Sequence, residues 1–292
     1  MPFFAIKFVY LTAFRKLKDS LFYANTMRFR IVLFSRQPDR ILPINYQYPF
    51  ASAIYKIIAQ ADAEYASFLH QQGYRKELSL KNYKLFTFSD ISTPFQIQGD
   101  RLIMKSQEAS FIICFHIPDA ATHFVQGLFM NREIDIADKK SKVSFTVKEI
   151  EVLNLWPQPM APDDWQEVIL KPLSPLIVGI TNERGNYDFL SPTDGRFIPM
   201  LTHHWKEKYR VVYGDTAAEQ DFDNIEIEVL SPENTRSRLI TIKAHSPEAT
   251  QIRGFTGFQL KVKAPMQVLE LALNSGIAIY GSMGMGCVGI DK

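Results

Sequence analysis

Arg28-Phe-Arg-Ile-Val-Leu-Phe-Ser35 is rich in β-branched and aromatic residues and reads as a strand. The segment after it decides the fold. Pro43 and Pro49 punctuate a loop, and from Phe50 the apolar positions fall at 50, 54, 57, 58 and 61, the spacing of one helix face. Asp62 reads as the N-cap of a second helix, and Gly73 suits the position just past its end. Leu85-Phe-Thr-Phe-Ser89, residues 101–105 and residues 111–117 read as strands. Asp119 reads as the cap of a helix reaching Met130, and residues 143–153 as a long closing strand. Strand, broken helix, strands, helix, strand is the split βαβ order of ferredoxin-like and RNA-recognition folds.

A Pro-rich stretch, Trp156-Pro-Gln-Pro-Met-Ala-Pro162, marks a boundary, and beyond it the pattern loosely repeats. Strands are suggested at 167–170, 176–181, 225–230, 239–244 and 257–263, with helices at 198–209 and 266–274. The expectation is an α+β protein of two tandem ferredoxin-like (RNA-recognition-type) domains. Residues 1–26 would be an N-terminal appendage, 27–158 the first domain and 159–292 the second, closing in a glycine-rich loop.

Composition agrees with a folded protein and excludes little else. The 292 residues are 46 % hydrophobic and 22 % charged, enough to bury a sizeable core. A net charge of +2 argues neither for nor against a nucleic-acid partner, since only a local patch could. Cys114 and Cys287 lie far apart with no CxxC spacing, so two free thiols in a reducing, cytoplasmic setting are expected. No run of 18 apolar residues exists, and no membrane partner is expected. In residues 1–26 the basic Lys7, Arg15, Lys16 and Lys18 follow apolar residues, the reverse of a secretory signal.

The chemistry lies in motifs. Gly276-Ile-Ala-Ile-Tyr-Gly281-Ser-Met-Gly284-Met-Gly286-Cys-Val288 spaces glycines so that backbone can approach a ligand and N–H groups can form a nest for phosphate oxygens. It is neither a P-loop nor a dinucleotide fingerprint, because no Gly-Lys-Ser/Thr and no strand–GxGxxG–helix unit accompanies it. A C-terminal loop of this kind, closing a tandem ferredoxin-like chain, resembles the CRISPR-associated repeat endoribonucleases, the Cas-six family that processes precursor CRISPR RNA. The resemblance runs from Met27 to Ile290. It includes Leu42-Pro-Ile-Asn-Tyr46, Phe68-Leu-His-Gln-Gln-Gly-Tyr74, Lys84-Leu-Phe-Thr-Phe-Ser89, Leu173-Ser-Pro-Leu-Ile-Val178, the Lys208-Tyr209 pair and Gly254-Phe-Thr-Gly-Phe258. Two departures stand in the final loop: Ala278 where a glycine is usual, and Gly281 where a polar residue is common.

The resemblance implies a catalytic trio of Tyr55, His70 and Lys84, no metal and no cofactor. The residue types suit that reading. Metal-free RNA cleavage must take a proton from a 2′-OH, protonate the departing 5′-oxygen and neutralise the phosphorane. Imidazole exchanges protons near neutral pH, ammonium is a compact positive charge, and a phenol can donate a proton or orient the leaving oxygen. Which of His70 and Tyr55 is base and which acid stays open at this level. Helical geometry puts Tyr55 roughly 115° from the centre of the apolar face, on the flank of its helix. Gly281, Ser282, Gly284, Gly286, Arg36, Arg40 and Arg253 are the candidate RNA-binding residues. The partner implied is CRISPR repeat RNA, with other effector subunits or a second copy of the chain as further candidates. The alternative function is a non-catalytic repeat-RNA-binding subunit. His203-His204 lacks a third ligand for a metal, and His116, His123 and His245 read as structural. Phe86 and Phe88 could stack bases, with core packing the favoured reading.

Overall fold

The structure is a computed structural model and describes residues 27–76, 81–156, 160–244 and 246–291. The expected appendage and His245 lie outside the described residues, as does part of the Pro-rich boundary.

The opening run forms β1 (Arg28–Phe34), and its period-2 pattern sends Phe29, Ile31 and Leu33 into the core, each without exposed surface. On one side β1 pairs antiparallel with β6 (Glu108–Phe115), Phe29 opposite Ile113 and Ile31 opposite Phe111. On the other it pairs with β8 (Lys142–Val152), with a bulge at Val32/Leu33. With β3 (Phe86–Phe88) and β7 (Glu133–Ala137) added, the sheet order is β3-β6-β1-β8-β7. Helices α1 (Gln47–Ala61), α2 (Ala63–Gln71) and α3 (Pro118–Met130) complete this half. Phe50, Ile54, Ile57 and Ile58 of α1 are buried, as their spacing requires. Asp62 caps α2, its Oδ1 accepting from the Tyr65 N–H at 2.8 Å.

The second half repeats the arrangement. β9 (Trp165–Pro172), β12 (Glu226–Leu230), β15 (Gln259–Pro265) and β16 (Val288–Ile290) form a sheet of order β12-β15-β9-β16. Helices α4 (Phe197–Tyr213), α5 (Asp215–Phe222) and α6 (Met266–Ser275) pack around a second core that includes Trp205, Tyr209, Leu260 and Val262. Leaving out β7, both sheets place the third strand of a βαββαβ unit beside the first, as a ferredoxin-like fold does.

Several expectations are corrected. Asp119 is not a cap: Ile117 holds the N-cap position of α3 without a side-chain bond, and Asp119 adds only its charge to the first turn. Arg101–Met104 (β5) is no part of the main sheet. It pairs with β2 (Ile41–Pro43) and β4 (Phe95–Gln98) in a separate three-stranded sheet, of which β4 and β5 are inserted between β3 and β6. The strand expected at 176–181 shortens to β10 (Gly179–Thr181), paired with β11 (Tyr187–Phe189), while Leu176 makes one isolated bridge to Phe255. The strand at 239–244 becomes β13 (Arg236–Ile242), in a hairpin with β14 (Thr250–Thr256).

The two halves are clamped together by buried polar groups. The Arg28 guanidinium donates to the carbonyls of Leu273 (2.8 Å) and Val288 (2.6 Å), joining β1 to the end of α6 and to β16. Arg238 of the β13–β14 hairpin donates to both Asp90 oxygens at 3.2 Å and to the Ile44 carbonyl at 2.9 Å. Tyr46 binds the same carboxylate at 2.8 Å.

Candidate functional site

β3 lies at the edge of the first sheet, yet all three of its residues are buried. Phe86 and Phe88 point into the first core, so they pack and do not stack bases. Thr87 faces the other way and its hydroxyl donates to the Met285 carbonyl at 3.0 Å. The glycine-rich loop of the second half therefore covers the edge strand of the first, and the candidate site forms at this seam.

Three elements bring Tyr55, His70 and Lys84 together. Tyr55, on the flank of α1, sets its ring edge-on against Phe86, with centroids 5.6 Å apart. Its other neighbour is the His70 ring near the end of α2, at 5.0 Å and 85°. Lys84 precedes β3, and its ammonium donates to the His70 carbonyl at 2.9 Å. Leu85 turns the chain there with φ of +52°, a conformation costly for a bulky residue and held by the bond from the His116 N–H to its carbonyl. His70 is solvent-exposed, whereas Tyr55 and Lys84 are half-buried.

The loop completes the cluster. Ser282 lies near the Tyr55 phenol, and Gly281–Met283 forms a single 3-10 turn whose first N–H groups, those of Gly281 and Ser282, have no partner within the turn. Such donors suit an anion. The N–H groups of Gly284 and Gly286 are engaged, bonding the carbonyls of Gly281 and Pro175 at 2.9 Å each. Both glycines are buried and shape the loop without presenting donors to a ligand.

Burial sets the protonation states. It pushes the Tyr55 phenol up to about 12, the nearby Ser282 hydroxyl opposing this more weakly. The same desolvation lowers Lys84 from the ordinary lysine value. Tyr55 thus holds its proton throughout the neutral range and can act as a donor.

The arginines singled out in the sequence are not gathered here. Arg36 follows the end of β1 that pairs with Glu108, while β3 pairs at Phe115, and the seven steps of β6 between them span about 23 Å. Arg40 braces its own loop through bonds to the carbonyls of Ser106 and Gln37. Arg253 sits exposed on β14 and donates to Ser237 at 3.2 Å. His204 is buried with Nε2 bonded to the Gly179 carbonyl at 2.9 Å, and His116 meets the Tyr213 hydroxyl at 3.1 Å. Among the described residues no three His, Cys, Asp or Glu side chains gather as a metal site would require. No described helix is long and apolar enough to cross a membrane.

Two residues escaped sequence reasoning as to role. Lys208 is buried with its ammonium bonded to the carbonyls of Ser275, Gly276 and Ala278, capping the end of α6 directly beneath the loop. Gly73, read as a helix terminator, also makes room for Lys84. Its φ is +60°, and a Cβ there would lie 2.6 Å from the Tyr83 carbonyl and 2.8 Å from Lys84 Cδ. Gly73→Ala is expected to displace the ammonium and slow RNA cleavage roughly ten-fold or more, since misplacing a reacting group by about 1 Å costs up to 10²-fold. Single-turnover cleavage by the folded variant checks this, and a parental rate would show that Lys84 is not held in place by this contact.

Comparison with known proteins agrees with the fold. Residues 41–151 match the family described as CRISPR-associated protein Cas6, N-terminal, and residues 158–290 match CRISPR associated protein Cas6, C-terminal. The chain belongs to the Cas6 family of CRISPR-associated proteins. It is 27 % identical over 271 residues to a CRISPR-associated endoribonuclease Cas6 of Pyrococcus furiosus, covering 91 % of this chain and 90 % of that one. It is 29 % identical over 254 residues to CRISPR-associated endoribonuclease Cas6 1 of Methanocaldococcus jannaschii, covering 85 % and 87 %. Among solved structures, that of a Cas6-related gene product of Pyrococcus furiosus superposes with a TM-score of 0.73 at 21 % identity, over 91 % of this chain and 99 % of the other. A RAMP protein binding different RNA substrates superposes at 0.71, also at 21 % identity, over 91 % and 100 %. These superpositions establish the shared fold.

Proposed function

We propose that this chain is a metal-independent endoribonuclease that cuts precursor CRISPR RNA within its repeats, with Tyr55, His70 and Lys84 carrying the reaction. The observation behind the residue assignment is the convergence of phenol, imidazole and ammonium from α1, α2 and the approach to β3 at one half-exposed seam. The exposed His70 imidazole takes the proton from the 2′-OH, whose oxygen attacks the adjacent phosphorus. Lys84, with the first N–H groups of the 3-10 turn, balances the charge that grows on the phosphoryl oxygens. Tyr55, its proton retained by burial, passes that proton to the departing 5′-oxygen. The products are a 2′,3′-cyclic phosphate and a 5′-OH. The trio contributes a proton acceptor, a proton donor and a positive charge, so each requirement of the reaction has a protein group.

The test is cleavage of a repeat RNA by the full chain in excess EDTA across a range of pH. Cutting is expected to persist in EDTA. On the alkaline side the rate should fall at a pH below that of an exposed lysine, because burial lowers Lys84. No limb from Tyr55 is expected until about 12. Loss of cutting in EDTA with recovery in magnesium overturns the mechanism.

A further inference from the structure

Beside the trio, on the side away from His70, the seam opens into a cavity of about 270 Å³. Its lining includes Lys84, Gly281 and Ser282 together with Tyr83, Tyr187 and Tyr280, and Lys81 and Lys208 also border it. Tyr83 and Tyr280 pack only partly against the cores of the second half, and the cleavage chemistry uses none of the three tyrosines. Tyr187 projects from the β10–β11 hairpin with 37 % of its surface exposed. Tyr280 holds a left-handed backbone, φ +63°, immediately before the 3-10 turn, so its ring is carried to the cavity at a cost in backbone strain. The Tyr83 hydroxyl is buried and has no hydrogen-bond partner among the described residues, which leaves a polar group for an incoming ligand to satisfy. Burial raises the Tyr83 and Tyr280 phenols above the ordinary tyrosine value, with Tyr187 adding less to each, so these two remain neutral hydrogen-bonding groups.

We propose that this cavity is a nucleobase subsite: it takes one unstacked base of the nucleotide flanking the cut phosphate, with the exposed Tyr187 ring as the stacking face and the Tyr83 hydroxyl as a hydrogen-bond partner for the base edge. The inference rests on the proposed cleavage function, because the phosphate must lie against Lys84 and Ser282 for the neighbouring base to reach the tyrosines. The chemistry favours a base over other groups. The lining sets three tyrosines beside Lys81, Lys84 and Lys208, and a nucleotide offers the rings a π-face and a base edge of donors and acceptors while its phosphate suits the lysines. The space is small for a ligand site and fits one planar heterocycle, not a base pair. Holding the flanking base would also fix the sugar whose 2′-OH or 5′-oxygen reacts, which turns binding into alignment.

The experiment measures binding to repeat RNAs carrying a single abasic nucleotide, moved one position at a time, in a His70→Ala background that leaves the RNA intact. At one position adjoining the cut bond, removing the base should weaken binding about ten-fold, the scale of one aromatic stack. Adding Tyr187→Ala should weaken binding to intact RNA by a similar factor and abolish the further penalty of the abasic nucleotide at that position alone. Tyr187→Phe, which keeps the ring, should bind as the parent does and guards against a folding artefact. Penalties that multiply with the Tyr187→Ala loss at every position, or no penalty beside the cut bond, overturn the subsite. Failure of the cleavage reading shows separately: the parent chain with His70 intact then leaves the unmodified RNA uncut, or the His70→Ala chain cuts it at the parental rate.

Discussion

His70→Ala is expected to cut repeat RNA roughly 100-fold or more slowly than the parent while binding it with near-parental affinity, the usual loss for a group that moves a proton in the transition state. The imidazole is exposed near the end of α2 and contacts Tyr55 edge-on, so its removal leaves the core of this half intact. One 2′-deoxy substitution immediately upstream of the cut phosphate should block cleavage equally well and spare binding, because the remaining phosphate and base contacts persist. Tyr55→Phe and Lys84→Ala should also slow the cut. Combining either with His70→Ala should cost less than the product of the separate losses, as groups acting in one step do. Single-turnover rates and filter-binding affinities read all of these. A His70→Ala protein that cuts at the parental rate moves the chemistry elsewhere, and equal loss of binding and cutting makes His70 structural.

Gly284→Val is expected to have the largest effect on stability. The backbone there has φ of +75°, and a Cβ would lie 2.3 Å from Phe88 Cε2 and 2.6 Å from Cζ. Phe88 cannot move aside, because it is fully buried and its ring packs edge-on against Phe50 at 5.1 Å. Left-handed strain of about 1–2 kcal/mol adds to overpacking of about 1–3 kcal/mol, for a loss of roughly 2–5 kcal/mol. The loop would lift from β3 and withdraw Ser282 from Tyr55, so cleavage should fall with the melting temperature. Gly185→Ala is the control. That glycine also has positive φ, +76°, but open space surrounds it, so only the backbone strain should appear. Thermal melts that place the two variants together would show that the Phe88 contact is not tight.

Much of the first half was legible because its signals are local. The alternation of Phe29, Ile31 and Leu33 defines the buried face of β1, the spacing from Phe50 defines α1, and Asp62 starts α2 through a bond to an N–H three residues on. Each depends on residues within a turn or a strand of one another. Even the placement of Tyr55 on a helix flank follows from angular arithmetic. The Tyr55, His70 and Lys84 set rested on resemblance to a family, since nothing in their spacing alone brings a helix flank, a helix end and a pre-strand lysine together.

Tertiary structure decided whatever depends on distant partners. Arg101–Met104 has strand character in sequence, but only pairing with Ile41–Pro43 and Phe95–Gln98 assigns it to a separate sheet. Gly284 and Gly286 look like phosphate-nest glycines until the folded chain commits their N–H groups to backbone carbonyls and their Cα atoms to tight packing. Arg28 opens a strand in the sequence, and only the fold brings it acceptors from 245 and 260 positions later. Tyr83, Tyr187 and Tyr280 share one cavity although they come from three remote segments. Local sequence sets which elements form, because backbone propensity and side-chain period act over a few residues. Which surfaces meet is decided by the packing of whole elements, so the seam that holds the candidate site exists only once both halves are folded.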